Sequence, residues 1–158
     1  MNPFNFAREI QLQSRKLGLT KSNIETETEY QRFISESQLV EATKSQYESG
    51  HFREAILNAY ICVNNLVKEK AVSEFDGSKL MKNVLSVNNP KLKLNDLTNQ
   101  SAQDEQLGYM EIFSGCMTGI RNPRAHETNW PDDKKSALVL LIWANHLIKI
   151  IKRSTANF

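Results

Sequence analysis

At 158 residues the chain is the length of one ordinary domain, able to bury a core without disulfides or a structural metal. Its 40% hydrophobic and 24% charged residues are the balance of a globular protein and exclude a disordered tail or a membrane-embedded chain. A formal net charge of +2 gives no chain-wide field, so any contact with nucleic acid must come from a local patch.

The start, Met1 to Glu9, has no basic segment followed by an apolar run, and no secretory signal is expected. Residues 1–36 read as an N-terminal arm, with a helix from Pro3 to Leu17 ended by Gly18 and then a polar stretch from Thr20 to Thr28. Residues 37–158 read as the main helical domain. Between Tyr30 and Tyr47 the apolar positions Tyr30, Phe33, Ile34, Leu39 and Val40 predict one or two helices, interrupted near Ser35-Glu36-Ser37 and closed at Ser49-Gly50. Phe52, Ala55, Ile56, Ala59, Val63, Leu66 and Val67 then recur at steps of three and four and predict a long helix. Glu54, Asn58 and Asn65 form a polar line on another face of it, directed either at a site or at water.

Asp76-Gly77 reads as a turn, followed by a short helix with Leu80, Met81, Val84 and Leu85 and Ser78 as its cap. Asn88-Asn89-Pro90 breaks that helix, and Lys91 to Leu94 alternates like a short extended piece. Ser101 to Ile120 returns to helical spacing through Leu107, Met110, Phe113 and Met117. The last helix should start near Pro131-Asp132-Asp133 and run to about Arg153. Its segment from Ala137 to Ala144 is apolar almost all round, which predicts a central helix or one in a dimer interface. The run from Ala137 to Ile151 is broken by Asn145, His146 and Lys149 and is too short for a bilayer span, so the expected location is the cytoplasm. Cys62 and Cys116 lie in apolar helical patterns and read as free thiols.

Between the last two long helices stands Arg121-Asn122-Pro123-Arg124-Ala125-His126, at what the proline marks as a helix break. RNA cleavage without a metal needs a group that takes the proton of the 2′-hydroxyl and a cation that stabilises the charged transition state. An imidazole titrates near neutral pH, and a guanidinium offers a planar fork of donors to two phosphate oxygens. His126 and Arg121 fit those tasks, with Asn122 as an uncharged donor or an orienting group. Arg124, Lys79 and Lys82 are candidates for holding phosphate, against the plainer reading of solvated charges. No phosphate-loop, dinucleotide, nucleophile-elbow or zinc-hydrolase pattern is present, and neither a cofactor nor a metal is expected.

A helix with Glu54-x-x-x-Asn58, a later helix ending in Gly119 to Glu127, and a strongly apolar terminal helix resembles the HEPN superfamily over roughly Ser37 to Arg153. Within it the chain looks like a prokaryotic branch associated with phage defence. The resemblance implies an all-α bundle of about four to five main helices and a metal-independent endoribonuclease. It also implies a homodimer in which paired R-x-x-x-x-H elements form one RNA cleft. Arg121 and His126 become the catalytic pair, Asn122 their neighbour, and Glu54 and Asn58 supporting residues. An antitoxin or other controlling protein is an expected partner. Other members of the superfamily are non-catalytic nucleotide-binding or assembly modules, and that alternative stays open here. Taken on the residues alone, His126 is either catalytic or a loop-fixing histidine, and Arg121 either grips phosphate or pairs with Glu127 or Glu54. His51 and His146 read as capping, structural or interfacial residues.

Overall fold

The computed structural model describes residues 27–157. The helix expected from Pro3 to Leu17 lies outside the described residues. The chain divides into two units between Arg32 and Phe33, and of the first only Glu27 to Arg32 is described. There Thr28 opens helix α1 (Glu29–Phe33) with a reciprocal cap: the Gln31 amide donates to Thr28 Oγ1 at 3.2 Å, and the Thr28 amide to Gln31 Oε1 at 2.9 Å.

The second unit is all-α, as the spacing of apolar residues predicts. Its helices are α2 (Ser37–Glu48), α3 (Phe52–Lys70), α4 (Gly77–Val84), α5 (Gln100–Gly115), α6 (Asn122–His126) and α7 (Lys134–Arg153). A π-helical turn, Cys116–Arg121, joins α5 to α6. Gly50 ends the α2 region at φ +80°, the left-handed value that glycine adopts without a Cβ penalty.

Helix α3 is the core of this unit, packed on α2, on α7 and on the π turn. Ala55, Ile56, Ala59, Tyr60, Val63 and Val67 form its buried stripe. Each large apolar side chain in such a stripe contributes about 1.5–3 kcal/mol through removal from water. The buried Tyr60 ring meets α7, where its hydroxyl donates to the Leu140 carbonyl at 3.1 Å.

Polar side chains fasten the irregular segments. Asn145 of α7 is buried, and its Oδ1 accepts from the amides of Ser35 and Glu36 at 3.0 Å each. Glu36, the N-cap residue of α2, makes no side-chain capping bond of its own. Gln106 of α5 is fully buried and holds the connector after α4: it accepts from the Leu94 amide at 2.9 Å and donates to the Leu85 and Leu92 carbonyls at 3.0 Å each. Lys70 donates to the carbonyls of Ile151, Lys152 and Ser154 at 2.6–2.9 Å and so closes the C-terminal end of α7. The extended piece at Leu92–Lys93 (β1) pairs antiparallel with Thr155–Ala156 (β2), with Leu92 opposite Ala156.

Asp133 caps helix α7, its carboxylate accepting from the Ser136 amide at 2.8 Å. Leu141, Ala144, Leu147, Ile148 and Ile151 are buried, whereas Val139 and Trp143 are 47% and 53% exposed. With Ile112 of α5, itself 45% exposed, Trp143 borders an apolar cleft of about 400 Å³. Ile142, Leu147, Tyr109 and His146 complete the cleft, and the Tyr109 hydroxyl lies 2.8 Å from His146 Nε2.

The expected break at Asn122-Pro123 is corrected by the structure. Gly115, Cys116, Arg121 and Asn122 all have right-handed helical angles, and one helix runs from Gln100 to His126. A proline ring presses on the carbonyl four residues back, here that of Gly119. The widened π turn relieves that clash, so the helix survives and ends at Glu127 instead.

Candidate active site

Arg121 is the last residue of the π turn, and its side chain is 25% exposed. Its guanidinium is loosely held: Nη2 stands 3.4 Å from Asp76 Oδ2 and Nη1 stands 3.4 Å from Asn122 Oδ1. Nε is buried and has no hydrogen-bond partner among the described residues. Of the two readings open for Arg121, pairing with Glu127 or Glu54 is not seen among the described residues; Asp76, just before α4, meets the guanidinium instead. That carboxylate is tied to α3, since Asn64 Nδ2 donates to Asp76 Oδ1 at 2.6 Å. Gly77, at φ +58°, donates its amide to Asn64 Oδ1 at 2.9 Å. A Cβ at Gly77 would stand 3.9 Å from Arg121 Nη1, so the left-handed turn, not lack of space, requires glycine there.

His126 is exposed at the end of α6, and among the described residues no hydrogen bond to its ring is seen. Five positions separate it from Arg121. In a regular helix that spacing turns the two side chains about 140° apart and about 7.5 Å along the axis. A single chain therefore presents the pair in different directions.

Arg124 departs from expectation. Instead of facing solvent as a phosphate grip, it is buried at 6% exposure. Nε and Nη2 meet the two Asp132 oxygens at 2.8 and 2.5 Å, and Nη1 donates to the Ile120 carbonyl at 2.9 Å. The guanidinium also lies 5.8 Å from the centre of the Trp130 ring. Its donors are spent on folding the Glu127 to Asp133 loop back onto α6.

Arg53, which sequence reasoning passed over, donates to the Arg124 carbonyl and to the Glu127 carbonyl, the latter at 3.4 Å. Its Nη2 lies 3.0 Å from Glu54 Oε1. Glu54 therefore reaches the motif only through Arg53. A backbone hydrogen bond, and secondarily the Arg53 charge, hold its carboxyl below its usual range. Asn58 is not brought to the motif. One turn further along α3 it donates to the Ala42 carbonyl of α2 at 3.2 Å, and among the described residues no hydrogen bond joins it to Arg121 or His126.

Lys79 sits in the first turn of α4 with its ammonium 4.3 Å from the centre of the Phe75 ring, and Lys82 is exposed on the same helix. At the start of the π turn, Cys116 is buried beside Tyr60, and burial pushes its thiol up to about 11. It is no thiolate nucleophile at neutral pH. Among the described residues, no group of three or more His, Cys, Asp or Glu side chains is arranged to hold a metal ion.

The fold and this site define an all-α domain with a polar cluster on a π-distorted helix. The chain belongs to the family described as "Protein of unknown function (Hypoth_ymh)", whose model matches residues 35–151. No curated protein and no solved structure matches it. No helix among the described residues is long and apolar enough to cross a membrane.

Proposed function

We propose that the protein is a metal-independent endoribonuclease of the HEPN type, acting in the cytoplasm as a homodimer. The observation that carries this reading is Arg121: a half-buried guanidinium with two long contacts and an unpaired Nε, five positions before an exposed histidine. Such an under-coordinated cation suits a phosphate whose charge grows in the transition state.

In this reading His126 takes the proton of the 2′-hydroxyl. The resulting oxygen attacks the adjacent phosphorus, and the 5′-oxygen leaves with a proton returned by a histidine. The products are a 2′,3′-cyclic phosphate and a 5′-hydroxyl. Arg121 stabilises the phosphorane oxygens, and Asn122 offers a neutral donor beside it. Because one helix turns Arg121 and His126 apart, a second copy of the chain completes the site. The exposed Ile112, Val139 and Trp143 and the open helical glycines Gly108 and Gly115 form the face on which that copy would pack. A toxin or phage-defence role under a controlling protein follows from the same reading.

The test is RNA cleavage in the presence of EDTA, with product ends identified. Arg121→Ala and His126→Ala should each abolish cleavage while retaining helicity and melting temperature. Cleavage that persists in the folded double variant overturns the assignment. Nucleotide binding without cleavage by the wild type would favour a non-catalytic binding module.

A further inference from the structure

Asp76 is the N-cap residue of α4 by backbone angle, at φ −140° and ψ 157°, yet its side chain makes no capping hydrogen bond. An aspartate in that position ordinarily accepts from the amides of its own helix. Here both oxygens are turned away. Oδ1 is held by Asn64 at 2.6 Å, which leaves Oδ2 directed to Arg121.

The orientation of Asn64 is fixed by chemistry. Its Oδ1 faces the Gly77 amide, a donor, so Nδ2 must face the Asp76 carboxylate. A flipped amide would oppose donor to donor and oxygen to carboxylate. Asn64 is 2% exposed, so this arrangement is locked inside α3 packing. The chain from Asn64 through Asp76 to Arg121 thus starts in a rigid core and ends at a loosely coordinated cation. Helix capping is given up at α4 to keep it.

We propose that Asp76, oriented by Asn64, is a positioning residue that fixes the direction of the Arg121 guanidinium toward a phosphate. This rests on the ribonuclease reading for its purpose, but not for its geometry. The 3.4 Å separation matters, because a closer bidentate pair would occupy the donors that phosphate needs. Asp76 restrains the cation from one side and leaves the other Nη hydrogens free of any short bond.

The experiment uses the full chain in two arms. In the first, hydrogen exchange of the arginine Nε–H groups is followed by NMR, with Arg121→Lys identifying the Arg121 signal. Asp76→Asn, which keeps shape and removes charge, should speed exchange of that signal on the order of 10-fold, with Asp76→Glu partly restoring protection. In the second, Asp76→Asn should lower kcat for RNA cleavage on the order of 10- to 100-fold with KM little changed. The melting temperature should move by less than about 4 °C, as expected for a partly exposed pair.

Unchanged exchange in Asp76→Asn overturns the proposal whatever the activity. So does increased cleavage, which would make Asp76 a restraint on catalysis, or a loss of cleavage accompanied by a matching loss of stability. A wild-type chain that cleaves no RNA overturns the nuclease reading alone, and the exchange arm then decides the positioning.

Discussion

Arg124 and Asp132 form a two-pronged ion pair whose side chains are only 7% and 3% exposed, the most buried charge pair among the described residues. Removing one partner strands the other charge away from water. Arg124→Ala or Asp132→Ala should therefore cost about 3–5 kcal/mol, read by urea unfolding at neutral pH. A loss near that of an exposed pair would show that the loop opens to solvent when either residue is changed.

Gln106 is the second structural weak point, because one side chain satisfies three backbone groups of the connector between α4 and α5. Gln106→Leu fits the cavity roughly by size but leaves those groups unpaired. It should destabilise the fold by about 3 kcal/mol. Hydrogen exchange at the Leu94 amide should rise by more than the global change accounts for.

Asp133 supplies a pH-dependent contribution. The Ser136 amide, and then its hydroxyl, hold the Asp133 carboxyl below its usual range. A carboxylate with a lowered folded-state value stabilises the fold above its unfolded value and loses that contribution as pH falls through the folded one. The melting-temperature gap between wild type and Asp133→Ala should thus be full at neutral pH and close below about pH 4. A constant gap across that range would assign the effect to packing instead of charge.

The exposed face around Trp143 tests the homodimer directly. Trp143→Glu should shift the chain toward monomer in sedimentation measurements and abolish RNA cleavage, with helicity retained. Trp143 is 53% exposed, so the substitution should change the stability of the single chain by less than about 1 kcal/mol. A wild-type chain that sediments as a monomer at every concentration would remove the second copy from the mechanism.

Much of the fold was legible because apolar periodicity reports directly on burial. The stripes of α3 and α7, the turn at Gly50 and the short extended piece at Leu92 all follow from spacing and turn chemistry. Arg121 and His126 were legible as residue types suited to phosphate chemistry. Asp76 and Asn64 were not, because Arg121 meets Asp76 across 45 positions and only tertiary packing chooses that partner over Glu127 or Glu54. Arg124 was misread because its pairing with Asp132 spans a loop with no helical period. The π turn left no local signal beyond Pro123, whose usual reading is a helix end.

That π turn sets a phase. A wide turn amounts to an α-helix carrying one surplus residue, so everything beyond it is rotated by about 100° relative to an uninterrupted helix. Excising one residue between Cys116 and Ile120 would leave the helix continuous but swing Arg121 off Asp76 and turn His126 by the same angle. Residue count in that one turn, as much as residue identity, is what aims the motif.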